Sequence, residues 1–291
     1  MFWAFFLQSL INGVLTGAVY GLIAVGLTLI FGVMKIINFA HGSLMMLGMY
    51  ATFWAWSLLQ MDPYASMVIS VPLLFVLGAL MQKLLIAPVM NAPEHNQLLL
   101  TLGVSLFLEN LALFAFKADP RFVQTDYLNI NYYVGPLTIK QVHLTAFAAS
   151  LLITLLLYLL LARTDLGKAI RAAAEEQEGA LLMGINVKRI FWISFGIGSA
   201  CVGAAGTLIA PFFPVDPHVG GLFVITAFVV VVLGGMGSFG GALLGGLIVG
   251  VGESVGAMFL PGSMKQMVTF VLFVLILLLR PSGLFGRSLR A

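Results

Sequence analysis

Two carboxylates stand inside long apolar stretches: Glu109 in LFLENLALF and Glu253 in IVGVGESVG. A charge in such surroundings is costly, so it faces a cavity, meets a partner or carries a proton. The chemistry open to these two groups is charge guidance or proton relay. Structural hydrogen bonding is the competing role. His41, in NFAHG, is a third titratable group. No cluster of Cys, Asp or Glu surrounds it, which favours a hydrogen-bonded histidine over a metal ligand. Absences narrow the field further. The sequence holds no G-x-x-x-x-G-K-[ST], no H-E-x-x-H, no G-x-S-x-G and no second cysteine beside Cys201. The chain therefore binds no ATP through a P-loop of its own and forms no internal disulfide. No catalytic residue, metal or cofactor is expected, and an enzyme is disfavoured.

The elements that position these groups are membrane helices. Of 291 residues, 61% are hydrophobic and 9% charged. Apolar windows of about 20 residues, the length that spans a bilayer as a helix, recur along the chain. The alternating polarity of a β-barrel is absent. The fold class is all-α, a polytopic transmembrane helical bundle forming a single domain over 1–291, with a cytoplasmic segment at 164–190. The N-terminal MFWAFFLQSL lacks a basic n-region and reads as mature membrane sequence. Crossings are placed at 8–33, 40–59, 65–87, 97–116, 142–162, 191–210, 222–234, 238–259 and 265–280. That gives eight or nine, with broken helices. The first is too long for one straight span, so its start is expected at the interface. The segment 222–234 is too short to cross alone. It reads as half of a broken helix turning at GGMGSFGG (234–241), beside a cavity that receives the freed backbone groups. NFAHG (38–42) is a second interruption.

Lys and Arg set the orientation. With 164–189 in the cytoplasm, the inner side holds Lys35, Lys83, Arg163, Lys168, Arg171, Lys188, Arg189, Arg280, Arg287 and Arg290, and the outer side Lys117, Arg121, Lys140 and Lys265. Basic residues at span ends explain the net charge of +3 without nucleic acid. The outer loops, 117–141 and 211–221, carry Tyr127, Tyr132 and Tyr133, and Asp216 and His218. They suit either an aromatic belt or a landing surface for an external protein. Gly13, Gly17 and Gly21, and the pairs Gly241/Gly245, Gly246/Gly250 and Gly252/Gly256, recur every four residues, the spacing that lets helix backbones approach closely in lipid.

The stretch 164–189, TDLGKAIRAAAEEQEGALLMGINVKR, is charge-rich and helix-forming over 167–183. Asp165 serves its start and Gly184 its stop. Ile170, Ala173, Ala174, Leu181 and Met183 give it an apolar face. Three acids close together suit an anionic membrane surface poorly, so it reads as a docking element for a partner protein.

Three motifs carry a family resemblance: YGLIAVGLTLIFGVMKIINFAHGSLMMLGMY (20–50), RAAAEEQEGALLMGINVKR (171–189), and VVLGGMGSFGGALLGG with the ending LLLRPSGLFG. In order and spacing the chain resembles, over essentially its full length, the permease subunits of branched-chain amino acid ATP-binding-cassette importers, of the LivH type. Urea and short-amide importers have closely similar permeases. The resemblance implies a bacterial inner-membrane protein working by alternating access, a second homologous permease subunit, two cytoplasmic ATPase subunits and a periplasmic substrate-binding protein. It identifies 164–190 as the coupling region in an ATPase groove, with Arg171, Ala173, Glu175, Glu178, Leu182, Gly184 and Asn186 as coupling residues. Asn38, His41, Glu109, Gly235, Gly237 and Ser238 are the expected passage residues. Membrane lipid is the surrounding partner. An ion-coupled secondary transporter using Glu109 or Glu253 is the rival reading.

Overall fold

The computed structural model describes residues 2–260, 264–280 and 283–285. Arg287 and Arg290, counted above toward the inner side, and Pro281 lie outside the described residues. The elements run α1 (Phe2–Met34), α2 (His41–Leu59), α3 (Met67–Met81), α4 (Glu94–Phe116), β1 (Asn131–Val134), β2 (Leu137–Lys140), α5 (Gln141–Arg163), α6 (Asp165–Glu175), α7 (Gln177–Leu182), α8 (Val187–Ile209), α9 (Val219–Gly234), α10 (Phe239–Gly256) and α11 (Lys265–Leu279). Beyond Met81, α3 continues through a π turn and a 3-10 turn to Val89. Each of the nine apolar segments read from the sequence holds one of these helices, and α6 and α7 occupy the charged stretch between α5 and α8. Among the described residues, six helices are long and apolar enough to cross a membrane, and α9 and most of α11 are shorter apolar helices. The chain is a multi-pass helical membrane protein.

α1 and α8 form the centre. In α1, 83% of the most apolar window is buried, against 11% in α4, which lies at the periphery. Glycines set the crossings. A Cβ on Gly17 would stand 2.8 Å from the Gly246 carbonyl oxygen, and one on Gly250 would stand 2.5 Å from the Gly13 oxygen. Gly26 and Gly198 block each other in the same way at 2.7 Å, joining α1 to α8. Lipid tails are as apolar as the side chains, so such backbone contact supplies packing attraction that the hydrophobic effect does not. Glu253 adds a polar tie. It is 3% exposed and accepts from the Tyr20 hydroxyl of α1 at 3.0 Å and from the Thr269 hydroxyl of α11.

A β-hairpin stands within 117–141, where the sequence leads one to expect only a loop. β1 and β2 pair antiparallel, with Tyr132 opposite Ile139 and Val134 opposite Leu137. Gly135 at φ +60° opens the two-residue turn, a geometry that matches strand twist. Gln8 of α1 donates to the Thr138 carbonyl at 2.7 Å and accepts from the Thr138 amide at 2.8 Å. The start of α1 thus lies on the hairpin side, opposite α6 and α7. Arg121 pairs its backbone with Val215, at 2.9 and 2.8 Å, and its guanidinium lies over Phe53 and Trp54. This joins the 117–141 and 211–221 segments to each other and to α2.

The expected single helix over 167–183 is two. Glu176 is extended, at φ −150° and ψ 108°, between α6 and α7. Glu175, Glu176 and Glu178 explain the break. Acids oppose a helix C-terminus and suit a new N-terminus, so the run favours ending α6 and starting α7 there.

Candidate functional site

The linker 35–40 is the buried interruption. Lys35 turns out of α1 at φ 58°, and Ile36, Asn38 and Ala40 are buried although none is helical. Buried irregular backbone requires partners. Asn38 Oδ1 accepts from the Ala40 amide at 3.1 Å, and Thr101 of α4 donates to the Ile37 carbonyl at 3.1 Å. His41, in the first turn of α2, donates from Nε2 to the Ile23 carbonyl at 3.0 Å. The ring thereby holds α2 against the middle of α1. Asn38 and His41 are both fully buried.

Two residues further along α2, the Ser43 hydroxyl meets that of Ser105 on α4 at 2.8 Å. One more turn outward on α4, the Glu109 carboxylate is hydrogen-bonded by His218 Nδ1. His218 is the N-cap of α9, and the Asp216 side chain accepts from its amide at 2.9 Å. Gly42 and Gly220 pack backbone to backbone, which brings the start of α9 against the start of α2. Glu109 lies about 10 Å before the C-terminal end of α4, at 1.5 Å per residue. The Glu109 side chain is 28% exposed and that of His218 65% exposed. An acid and an imidazole thus reach the surface of one chain at a depth where lipid would refuse them.

Gly235, Gly237 and Ser238 lie elsewhere. Gly237 sits beside Gly32, near the end of α1, and Phe239 lies 6.1 Å from the ring of Tyr158, near the end of α5. The segment is therefore a tight turn between α9 and α10, level with the C-terminal ends of α1 and α5 rather than in the middle of the bundle. Gly235 and Gly237 take φ +98° and +87°, and Ser238 caps α10 by accepting from the Gly241 amide at 3.1 Å. The passage residues read from the sequence thus fall in three places: Asn38 with His41, Glu109 with His218, and the inner turn. Glu253 reaches α9 by another route, through Tyr20, whose ring is 6.3 Å from that of Phe223.

The 164–189 segment presents a different face from the one expected. Ile170 and Ala173 are 2% and 1% exposed and point into the bundle, whereas Leu182 and Met183 are 89% and 83% exposed. Thr164 caps α6, accepting from the Gly167 amide at 3.1 Å. Gly167 lies too close to the Leu160 and Leu161 carbonyls for any Cβ. Arg171 donates to the Leu161 carbonyl and so fastens α6 to the end of α5. The Lys168 ammonium beside Asp165 holds that carboxyl below the usual carboxylate range. Gly184, at φ +79°, ends α7, and Asn186 caps α8 by accepting from the Arg189 amide at 3.0 Å. Glu175 and Glu178 are exposed. His218 and Ser43 are the residues that the sequence reading left out of its site. Their only local signal is a polar residue opening an apolar helix.

The family model described as branched-chain amino acid transport system / permease component matches residues 9–277. The chain is 34% identical, over 97% of its length and 96% of the relative's, to the high-affinity branched-chain amino acid transport system permease protein BraD of Pseudomonas aeruginosa. It is 32% identical, over the same shares, to the high-affinity permease protein LivH of Escherichia coli K12. It is 29% identical, over 91% of its length and 88% of the relative's, to a probable branched-chain amino acid transport permease protein LivH of Methanocaldococcus jannaschii. No solved structure matches the chain.

Proposed function

The chain belongs to the family of branched-chain amino acid transport system permease components, and on that premise we propose that it passes leucine, isoleucine and valine across the bacterial inner membrane by alternating access. It does so as one permease subunit of an ATP-binding-cassette importer. A second homologous permease faces it, two cytoplasmic ATPase subunits bind the segment 164–190, and a periplasmic binding protein delivers the solute to the outer loops. The remaining polypeptide is a single membrane domain.

The observation that supports this reading most is the Glu109–His218 pair on the outward surface of α4 and α9. Polar groups exposed at that depth call for water or a protein partner rather than acyl chains. A passage between this face and a second permease supplies both. Asn38 and His41 hold the irregular linker beside that passage, and Gly235, Gly237 and Ser238 form its inner rim. On the inner side, Leu182 and Met183, flanked by Glu175, Glu178, Gly184 and Asn186, form the contact with an ATPase. Arg171 and Ala173 position that contact from behind.

The test is uptake of labelled leucine and labelled urea by the complete complex in proteoliposomes. ATP-dependent leucine uptake that urea does not compete with is expected. Urea uptake without leucine uptake, or uptake driven by a proton gradient without ATP, would overturn the reading.

A further inference from the structure

A cavity of about 300 Å³ opens on the outer side between α1, β2, α5 and α10. Gln8, Asn12 and Thr16 line it from α1, Lys140 and His143 from the end of β2 and the start of α5, and Ser254 from α10. The α1 residues recur every four positions and make a polar stripe along a mostly apolar helix. From Gln8 to Thr16 the stripe descends about 12 Å into the membrane. His143 stacks on Phe212 with ring centres 4.4 Å apart, and its shielded Nδ1 has no hydrogen-bond partner among the described residues. Among the described residues no carboxylate forms an ion pair with Lys140.

The lining selects a class of ligand. Among the described residues it contains a cation, an imidazole, two amides and hydroxyls, but no carboxylate and no aliphatic side chain. A free cation would meet Lys140 uncompensated. A branched aliphatic amino acid would find no apolar wall for its side chain. Phosphate oxygens, by contrast, accept from the Lys140 ammonium, the imidazole, the Asn12 amide and the hydroxyls, while Gln8 is already bonded to Asn12 and Thr138, and a bond from an ammonium to an anion is among the stronger hydrogen bonds. Lys140 sits at headgroup level, at the outer end of α5. Thr16 and Ser254 lie deeper, where a glycerol backbone would follow. We propose that this cavity binds the phosphate of an outer-leaflet phospholipid headgroup, with Lys140 and His143 on the phosphate and the α1 stripe along the glycerol. The site is separate from the Glu109–His218 face and does not depend on the transported solute.

The experiment compares ligands on the full-length chain, delipidated in detergent. Short-chain phosphatidylglycerol, the diacylglycerol of the same chains and inorganic phosphate are added at equal concentration, and thermal unfolding is followed. Only phosphatidylglycerol is expected to raise the Tm. Lys140 is exposed, so Lys140→Gln is expected to keep the lipid-free Tm and to need about tenfold more lipid for the same shift, the loss of one charge-assisted bond. Should that variant misfold, Asn12→Ala, also at an exposed position, is read in the same way. Equal stabilisation by diacylglycerol would overturn phosphate recognition. Equal stabilisation by inorganic phosphate would overturn the lipid as its source, and an unchanged lipid response in a folded variant would overturn the site. In the assembled complex, a photo-crosslinker at Asn12 is expected to capture lipid, and capture of a second permease instead would overturn the proposal.

Discussion

Tyr20 donates its hydroxyl proton to Glu253 at 3.0 Å, although 233 positions separate the two residues in the chain. Thr269 donates to the other carboxylate oxygen, so one side chain fastens α10 to α1 and to α11. Glu253→Leu leaves both hydroxyls buried without this acceptor, at a cost of about 1–3 kcal/mol each. Glu253→Gln keeps the carbonyl acceptor and is expected to cost roughly half as much or less. Thermal unfolding of the two variants, with uptake normalised to folded protein, checks this. Normal stability of Glu253→Leu would show that the tie is unimportant.

The glycine crossing of α1 and α10 makes a second prediction. Gly17→Val pushes branched carbons into the Gly246 carbonyl and the Leu247 backbone, both 2.8 Å from the first added atom. Backbone does not yield as a side-chain tip does. The expected loss is about 1–3 kcal/mol or more, read as a lower Tm. Gly103→Val on α4, where an added Cβ meets nothing within 4 Å, is expected to be near neutral.

Coupling to an ATPase is assigned to the exposed residues of α7, and two substitutions separate docking from folding. Leu182→Asp alters a side chain that is 89% exposed, so stability is expected to hold while ATP-driven uptake falls by about tenfold or more. Ala173→Asp buries a charge against the bundle, since Ala173 is 1% exposed, and is expected to lower the amount of folded protein. Normal uptake by a well-folded Leu182→Asp would remove α7 from the interface.

Much of this architecture is legible in the sequence because lipid is a strict solvent. Long apolar runs mark nine helices of the bundle nearly in place, six of them long and apolar enough among the described residues to cross a membrane, and the spacing of Gly13, Gly17 and Gly21 marks the face of α1 that meets α10. What stayed hidden depends on contacts between distant segments. Nothing near Glu109 announces His218, which is 109 residues away. Nothing in GGMGSFGG distinguishes a tight inner turn from a break at mid-depth. That difference rests on Gly32 and Tyr158 lying alongside. The apolar positions in 164–189 make one sticky face only if the stretch is a single helix. The extended Glu176 turns Ile170 and Ala173 inward and leaves Leu182 and Met183 outward.

Glu109 and His218 make a prediction of their own. Glu109→Gln keeps the size of the side chain and an acceptor for the imidazole, so folding is expected to persist. Removing the charge is expected to lower leucine uptake by about tenfold, the worth of one lost charge-assisted contact. His218→Gln, at an exposed position, is expected to act in the same direction with a smaller effect.

The passage along α4 is tested most directly by thiol labelling. Leu102 shares the face of Glu109 two turns further inward and is 43% exposed in the single chain. In a Cys201→Ala background, Leu102→Cys in the assembled complex is treated with a charged, membrane-impermeant thiol reagent in each nucleotide state. Leu152→Cys, 55% exposed on α5, serves as the lipid-facing control. If α4 borders an aqueous passage, Leu102→Cys reacts in at least one state, leucine slows the reaction, and Leu152→Cys stays unlabelled. Protection of Leu102→Cys in every state would contradict that placement, as would labelling equal to that of Leu152→Cys.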